Sequence, residues 1–295
     1  MLLGNVTGVT KAFGAQKSLV PNTRLLDSLM KTMESVKHKP VPMKGDYQRS
    51  SNLSRVCPRE IQLQKRLNVS AEAIVDAKLS WIFNTGHAIH HQFQEVYLQT
   101  LGDVFQGWWG SNDGEDLQVG EELNDSLKNK WIAKPKDGKD YHYVELEFCN
   151  EEYRLTGHCD GVLVWGEDDV EIFELKTISS RGFKTVDPNE MGSPKPEHVL
   201  QVNAYMWLTG LERARIVYVN KDMNTMLPKA ICEHVIDRDE SVISEIKELL
   251  KKCINASDSE PSRNEALYEK HSDCKTKSSY RAKDCAFRTE CFKCP

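Results

Sequence analysis

Two strand-forming segments joined by a short polar turn constrain the fold of this chain more than any other feature. Residues Arg154–Trp165 and Val170–Lys176 are rich in β-branched, aromatic and other apolar residues, as strands are. The turn between them has the sequence Gly-Glu-Asp-Asp, which suits a tight reversal of the chain. We therefore predict a β-hairpin. Its second strand contains Ile-Phe-Glu-Leu-Lys, an apolar setting in which an unpaired carboxylate would be costly.

Acidic side chains converge at this predicted hairpin. Residues two apart on a strand face the same side, so Glu174 and Lys176 project together. Asp160 is expected at the start of the partner strand, beside Glu174. Two carboxylates form an oxygen site suited to Mg²⁺ or Mn²⁺, and an ammonium can orient a water or offset charge at a phosphate. Hydrolysis of a phosphodiester by metal-activated water needs these groups, although Glu-x-Lys by itself is also common on solvated strand faces.

Composition excludes several other classes of protein. Hydrophobic residues make up 39% and charged residues 28% of the chain, as in globular proteins. No stretch approaches the roughly 20 apolar residues of a membrane span, and the first residues do not resemble a secretory signal. We therefore expect an intracellular protein without a membrane partner. The net charge of −5 argues against general nucleic-acid binding, although basic residues outnumber acidic ones from Lys11 to Arg49.

Four motifs in order resemble those of a known nuclease family. Gly157–Asp160 and Glu174–Lys176 resemble the second and third motifs of PD-(D/E)XK nucleases of the RecB and Cas4 branch. That branch also carries a helical Gly-x-x-x-His before the sheet and a helical Gln-x-x-x-Tyr after it, matched here by Gly86–His90 and Gln201–Tyr205. Order and spacing agree over about Ser51–Val219. The resemblance implies an α/β restriction-endonuclease-like core, with a mixed central β-sheet flanked by helices.

The resemblance also implies roles for individual residues. The implied ligands of Mg²⁺ or Mn²⁺ are His90, Asp160, Glu174 and the backbone carbonyl of Leu175. The implied catalytic residues are Asp160, Glu174, Lys176, Gln201 and Tyr205, of which Lys176 positions the nucleophile, while Gln201 and Tyr205 lie nearby and hold Lys176 or a DNA phosphate. Other interpretations stay open, because a histidine on a helix is more often a core or surface residue. Gln201 and Tyr205, one helical turn apart, could simply pack together.

Nine cysteines, several of them clustered, indicate a second metal centre. In a reducing compartment such clusters suggest a metal before disulfides. Cys57 lies in a Cys-Pro-Arg sequence that resembles the start of the nuclease domain in Cas4-like and AddB-like proteins. There, one early and three late cysteines hold a [4Fe–4S] cluster, and Cys285, Cys291 and Cys294 would be the late three. Here the longer gap comes first, unlike in that family, and Cys274 is an alternative ligand that makes a Zn²⁺ site possible.

These observations predict the organisation and activity of the chain. We expect an N-terminal helical arm (1–50), a nuclease core (51–240) and a C-terminal helix and cysteine segment (241–295) that packs back on the core. The predicted activity is that of a metal-dependent deoxyribonuclease. It would be an exonuclease acting on DNA ends or single strands in recombination, repair, phage replication or CRISPR adaptation. We expect it in the cytoplasm of a bacterial, archaeal or phage-infected cell, where a homo-oligomer or a complex with recombination or CRISPR proteins would fit. The alternatives are an inactive nuclease-like module for DNA binding or assembly, and a zinc-bound nucleic-acid adaptor.

Two further features could contact nucleic acid. The pair Trp108-Trp109, which lies between glycines, could stack on bases, but paired tryptophans also pack against neighbouring parts of a protein. Arg55, Arg59 and the pair Lys65-Arg66 could contact phosphate.

Overall fold

The computed structural model describes residues 47–68, 77–111, 131–222, 229–259 and 267–293. The predicted N-terminal arm up to residue 46 and Cys294 lie outside the described residues. The chain divides into two compact units, residues 1–40 with 74–83 and residues 41–73 with 84–295. The sheets and the candidate site belong to the second unit.

A mixed β-sheet forms the centre of this unit. Its strands are β2 (Phe105–Ser111), β3 (Ile132–Ala133), β4 (Tyr141–Val144), β7 (Gly161–Gly166), β8 (Asp169–Ile178), β9 (Arg213–Asn220) and β10 (Ile231–Asp237). The order is β10-β9-β8-β7-β2-β3, and β4 pairs with β2. Only the β8–β9 pair is parallel among these described strands. A smaller sheet of order β1-β6-β5 contains β1 (Gln48–Arg49), β5 (Leu146–Asn150) and β6 (Leu155–Cys159).

The predicted hairpin is confirmed, but its first strand is shorter than expected. Strands β7 and β8 pair antiparallel, with Gly161 opposite Phe173. The predicted strand Arg154–Trp165 is instead two strands, β6 and β7, which belong to different sheets. Gly161 explains the break, because its φ of +153° is unfavourable for other residues and a Cβ there would collide with the Phe105 ring. Asp160 therefore lies in a bend between two strands, and the expectation that it starts a strand was imprecise.

Helices flank the central sheet, as the predicted restriction-endonuclease-like fold requires. They are α1 (Pro58–Leu67), α2 (Ala77–Gln92), α3 (Ser180–Phe183), α4 (Pro196–Thr209), α5 (Glu240–Asp258), α6 (Tyr280–Asp284) and α7 (Arg288–Lys293). Short 3₁₀ segments cover Ser50–Arg55, Leu98–Val104 and Pro188–Glu190, and a π-helical turn, Phe93–Tyr97, follows α2. None of the helices in the described ranges has the length and apolar character needed to cross a bilayer.

Helix α4 carries site residues and is fixed at both ends. Pro196 occupies its first position, where a missing N–H costs nothing, and Gly210 ends it in the left-handed region with φ +73°. Val202 and Met206, both fully buried, belong to the same apolar cluster as the strand residue Ile216. Packing of this face onto the sheet fixes which side of α4 faces the candidate site.

The C-terminal segment contacts α1 through Arg59, which is only 2% exposed. The guanidinium nitrogens of Arg59 donate to the backbone carbonyl oxygens of Tyr268 and Cys291, at 2.8 and 2.9 Å. Leu63, Phe287 and Cys291 form a small buried cluster beside these bonds. Arg59 is therefore a structural residue, and the suggestion that it contacts phosphate was wrong, because a buried guanidinium cannot reach a ligand in solvent.

Candidate active site

Asp160 lies at the centre of the candidate site and is 4% exposed. Its Oδ2 accepts a hydrogen bond from the backbone N–H of Leu175 at 2.7 Å. Its Oδ1 lies 2.8 Å from His90 Nδ1 and 3.4 Å from the amide nitrogen of Gln94. Both carboxylate oxygens are thus fixed, one by β8 and the other by two residues one helical turn apart.

His90 reaches the sheet from the end of α2. Burial disfavours its charged form, but the charge and hydrogen bond of Asp160 outweigh burial, so the pKa of His90 is raised. The resemblance selected His90 from three neighbouring histidines. The structure brings His90 to Asp160, and His91 is exposed.

Glu145 is a site residue that the sequence analysis did not identify. One candidate ligand atom from each of His90, Glu145 and Asp160 lies within 4.8 Å of the other two. Burial, followed by the charge of Asp160, raises the pKa of Glu145 to about 7. The sequence does contain a sign of a break at this residue. The apolar residues occupy odd-numbered positions at Tyr141 and Tyr143 but even-numbered positions at Leu146 and Phe148, so the strand alternation is interrupted between them. Strands β4 and β5 separate at that point and leave Glu145 between them.

Glu174 and Lys176 face the same side of β8, as predicted. Glu174 is 3% exposed, and its Oε1 accepts hydrogen bonds from Lys176 Nζ at 2.6 Å and from the Gln201 amide at 2.9 Å. Its Oε2 is buried without a hydrogen-bond partner among the described residues. Burial raises the pKa of Glu174 to about 7, against the opposing charge of Lys176. Burial also disfavours the charge of Lys176, but Glu174 and Asp160 outweigh it, so the pKa of Lys176 is raised.

Gln201 and Tyr205 on α4 connect Glu174 of β8 to the backbone of β6. The Gln201 amide donates to the Tyr205 hydroxyl at 2.7 Å, and that hydroxyl donates to the backbone carbonyl oxygen of His158 at 2.5 Å. A Cβ at Gly157 would collide with the Tyr205 ring, so this glycine permits the close approach. The two residues therefore contact the site through hydrogen bonds as well as packing.

The donor set fits a hard divalent cation. Oxygen ligands with one imidazole suit Mg²⁺ or Mn²⁺. The pKa values of Glu145 and Glu174 are raised in part by the nearby charge of Asp160, and a bound cation would offset this accumulation of negative charge. The unpartnered Oε2 of Glu174 is a further available ligand atom. The N–H and C=O of one strand residue point to the same side. Because the Leu175 N–H bonds to Asp160, its carbonyl points toward the site as well.

Four cysteines meet at a separate place, between α1 and the C-terminal segment. Cys57, Cys274, Cys285 and Cys291 line a cavity of about 20 Å³. Burial raises the pKa of Cys57, Cys274 and Cys285, the last to about 11. Cys274, expected only as an alternative ligand, thus lies with the three others, whereas Cys294 lies outside the described residues.

Comparisons with known proteins give a family match and several similar solved structures. A model of the PD-(D/E)XK nuclease superfamily matches residues 50–292. Similar solved structures include an alkaline exonuclease from Laribacter hongkongensis, which is 14% identical with a TM-score of 0.45, over 73% of this chain and 90% of that one. A phage-related exonuclease from Haemophilus somnus 129PT is 16% identical with a TM-score of 0.44, over 77% of this chain and 96% of that one. No curated protein matches the chain. Because the family match spans most of its length, the chain belongs to the PD-(D/E)XK nuclease superfamily.

Proposed function

We propose that this nuclease hydrolyses DNA phosphodiesters with Mg²⁺ or Mn²⁺ and acts as an exonuclease on DNA ends or single strands. The observation that carries the proposal is the convergence of His90, Glu145 and Asp160 within 4.8 Å, beside the buried Glu174–Lys176 pair. If Glu174 and Lys176 formed only a structural ion pair, that pair would not need the candidate ligand atoms of His90, Glu145 and Asp160 beside it. The exonuclease mode extends the resemblance of the motifs to the RecB and Cas4 branch.

The proposed ligands of the cation are His90, Glu145, Asp160, Glu174 and the carbonyl oxygen of Leu175. When bound, a divalent cation would lower the pKa of a water and neutralise charge on the phosphate. Asp160 serves as a fixed ligand because the Leu175 N–H holds one of its oxygens. Gln201 holds Glu174 Oε1 at 2.9 Å, and Oε2 has no hydrogen-bond partner among the described residues.

Lys176 acts as a cation in this proposal. Its pKa is raised, so its ammonium keeps its protons at neutral pH and does not serve as a base. It can orient the attacking water and offset charge that develops on the phosphate. The water oxygen bonds to phosphorus, the bond from phosphorus to the leaving sugar oxygen breaks, the water proton passes to solvent, and the leaving oxygen takes a proton from solvent.

Cleavage of end-labelled linear DNA, double- and single-stranded, tests the proposal. Products should appear with Mg²⁺ or Mn²⁺ and disappear with EDTA. Lys176→Ala should lower the rate at least about 100-fold, because one preorganised charge at the transition state is worth that much. Lys184→Ala, at an exposed lysine after α3, is the matched control and should cleave like the wild type. Resistance of closed circular DNA would distinguish exonuclease from endonuclease action.

Two results would contradict this proposal. Wild-type protein that binds DNA but never cleaves it with either metal would favour an inactive DNA-binding module. Full activity of Lys176→Ala would remove the role given to that residue, provided that both variants unfold at the wild-type temperature.

We propose that the four cysteines at the cavity hold a [4Fe–4S] cluster, with Cys274 as the fourth ligand. In a tetrahedral zinc site with Zn–S bonds of about 2.3 Å, the sulfurs lie about 3.8 Å apart. Among the described residues, no three of these cysteines have sulfurs within 4.8 Å of one another. A cluster suits the wider spacing, because each cysteine binds a different iron atom. Its structural effect would be to tie α1 to the C-terminal segment.

Metal analysis and absorbance of anaerobically purified protein test this assignment. Iron with acid-labile sulfide and a visible band that bleaches on reduction are expected, whereas stoichiometric zinc would contradict the cluster. Cys274→Ser should lower the iron content, and Cys149→Ser, at a cysteine on β5, should not. If Cys294→Ser removed the iron and Cys274→Ser did not, the fourth ligand would be Cys294.

A further inference from the structure

Trp108 and Trp109 face opposite sides of β2, as neighbouring strand residues do. Trp109 is 1% exposed, and its indole nitrogen donates to the carbonyl oxygen of Ile132 at 3.0 Å. Trp108 is half-buried and lies opposite Val144 of β4, which is 37% exposed. Trp109 is therefore a core residue, whereas Trp108 remains accessible beside an apolar neighbour.

Trp108 lines an open groove of about 440 Å³ that borders the candidate active site. The groove is also lined by Gln94, Val144, Glu145, Glu147 and His158. Gln94 contacts the Asp160 carboxylate, and Glu145 shares the ligand group with Asp160, so the groove is continuous with the site. Its volume lies within the roughly 300–1,000 Å³ of pockets that hold small ligands.

Glu147 and His158 form the polar wall of this groove. They are paired residues of β5 and β6, and the His158 Nε2 lies 3.9 Å from a Glu147 carboxylate oxygen. Their side chains are 52% and 46% exposed, so both are available to a ligand. Among the described residues that line the groove none is a lysine or an arginine, and Glu147 lies outside the proposed ligand group.

The Glu147 carboxylate determines which part of a DNA strand can bind in the groove. A phosphate placed beside the Glu147 carboxylate, away from the proposed cation, would be repelled. The base and sugar are uncharged, the base can stack on an indole, and its amino groups can donate to a carboxylate. The aromatic and aliphatic surface of Trp108 and Val144 matches the base, and the Glu147–His158 pair offers hydrogen-bonding partners for its edge or for the sugar.

We propose that the groove binds the nucleoside next to the scissile phosphate, with its base against Trp108 and its polar edge at Glu147 and His158. This inference rests on the proposed function, because it places the phosphate at the metal ligands. It makes Trp108 a positioning residue for the substrate strand.

Single abasic nucleotides test the groove. They are placed in turn at the two nucleotides that flank the first bond cut. At one of these positions the wild type should lose about 5- to 150-fold in kcat/KM relative to intact DNA, the range for one lost base–aromatic stack. Trp108→Ala should cut intact DNA more slowly but lose no further activity on the abasic strand. Trp108→Phe keeps an aromatic face for the base. This variant should therefore cut abasic DNA more slowly than intact DNA, by a smaller factor than the wild type does.

Trp165→Ala is the matched control, since Trp165 is 48% exposed on β7 and does not line the groove. It should keep the full abasic penalty. The ratio of intact to abasic cleavage does not depend on how much of a variant is folded. An abasic penalty in Trp108→Ala equal to that of the wild type would overturn the groove assignment and leave the nuclease proposal intact. Absence of cleavage of intact DNA by the wild type would overturn both.

Discussion

Removal of the Tyr205 hydroxyl should weaken both the fold and the active site. This hydroxyl donates to the His158 carbonyl oxygen at 2.5 Å and accepts from the Gln201 amide at 2.7 Å, on a side chain that is 1% exposed. Tyr205→Phe keeps the ring and deletes both bonds. Leaving buried polar groups without partners costs about 1–3 kcal/mol. We therefore expect the free energy of unfolding to fall by about that amount.

The same substitution should slow cleavage through Glu174. Gln201 bonds to both Tyr205 and Glu174, so loss of the hydroxyl frees one end of the group that orients the carboxylate. A displacement of about 1 Å at a reacting group can cost about 100-fold in rate, and we expect a loss of about 10- to 100-fold in kcat.

Urea denaturation and single-turnover cleavage at saturating metal measure the two effects. Tyr280→Phe is the control, because Tyr280 is 85% exposed and its hydroxyl should matter to neither quantity. The reasoning is refuted if Tyr205→Phe matches the control in both stability and rate. A loss of stability with unchanged rate would refute the connection to Glu174 alone.

Two further predictions concern the C-terminal segment and the pH dependence of stability. Arg59→Met removes the bonds to the carbonyl oxygens of Tyr268 and Cys291, so limited proteolysis should cleave within residues 267–293 several-fold faster than in the wild type or in the exposed-site variant Arg181→Met; equal rates would contradict it. Burial lowers the pKa of His198 to about 3, so the folded state binds fewer protons than the unfolded state, and stability should fall as the pH drops from about 6.5 toward 3. The stability of His198→Gln should depend less on pH in that window, and an identical pH profile would contradict the assignment.

The hairpin and the Glu174–Lys176 face could be predicted because they depend on local rules. Strand alternation places residues two apart on one side, and the polar turn before Asp169 reverses the chain. The position of Asp160 depends on Gly161, whose role appears only when the Phe105 ring from a distant strand lies against it. The hairpin was therefore foreseen, and the bend was not.

Glu145, Cys274 and Arg59 show why the rest could not be predicted. Glu145 lies in the site because β4 and β5, which belong to different sheets, separate beside it. The interrupted alternation of apolar residues marks this break but does not show which residues Glu145 meets. Cys274 is brought to Cys57 by a segment with little regular secondary structure, so no periodicity marks its position. Arg59 looked like a surface cation because composition does not reveal backbone carbonyls from the other end of the chain.

Binding of Mn²⁺ to purified protein, followed by calorimetry with matched variants, tests the central proposal most directly. Asp160→Asn removes the charge of the residue around which the proposed ligands gather, and Asp168→Asn changes an exposed aspartate in the β7–β8 turn. We expect the wild type and Asp168→Asn to bind Mn²⁺ equally, and Asp160→Asn to bind it at least about tenfold more weakly, a difference of about 1.4 kcal/mol. Equal Mn²⁺ affinity in all three proteins would contradict a metal centre at Asp160.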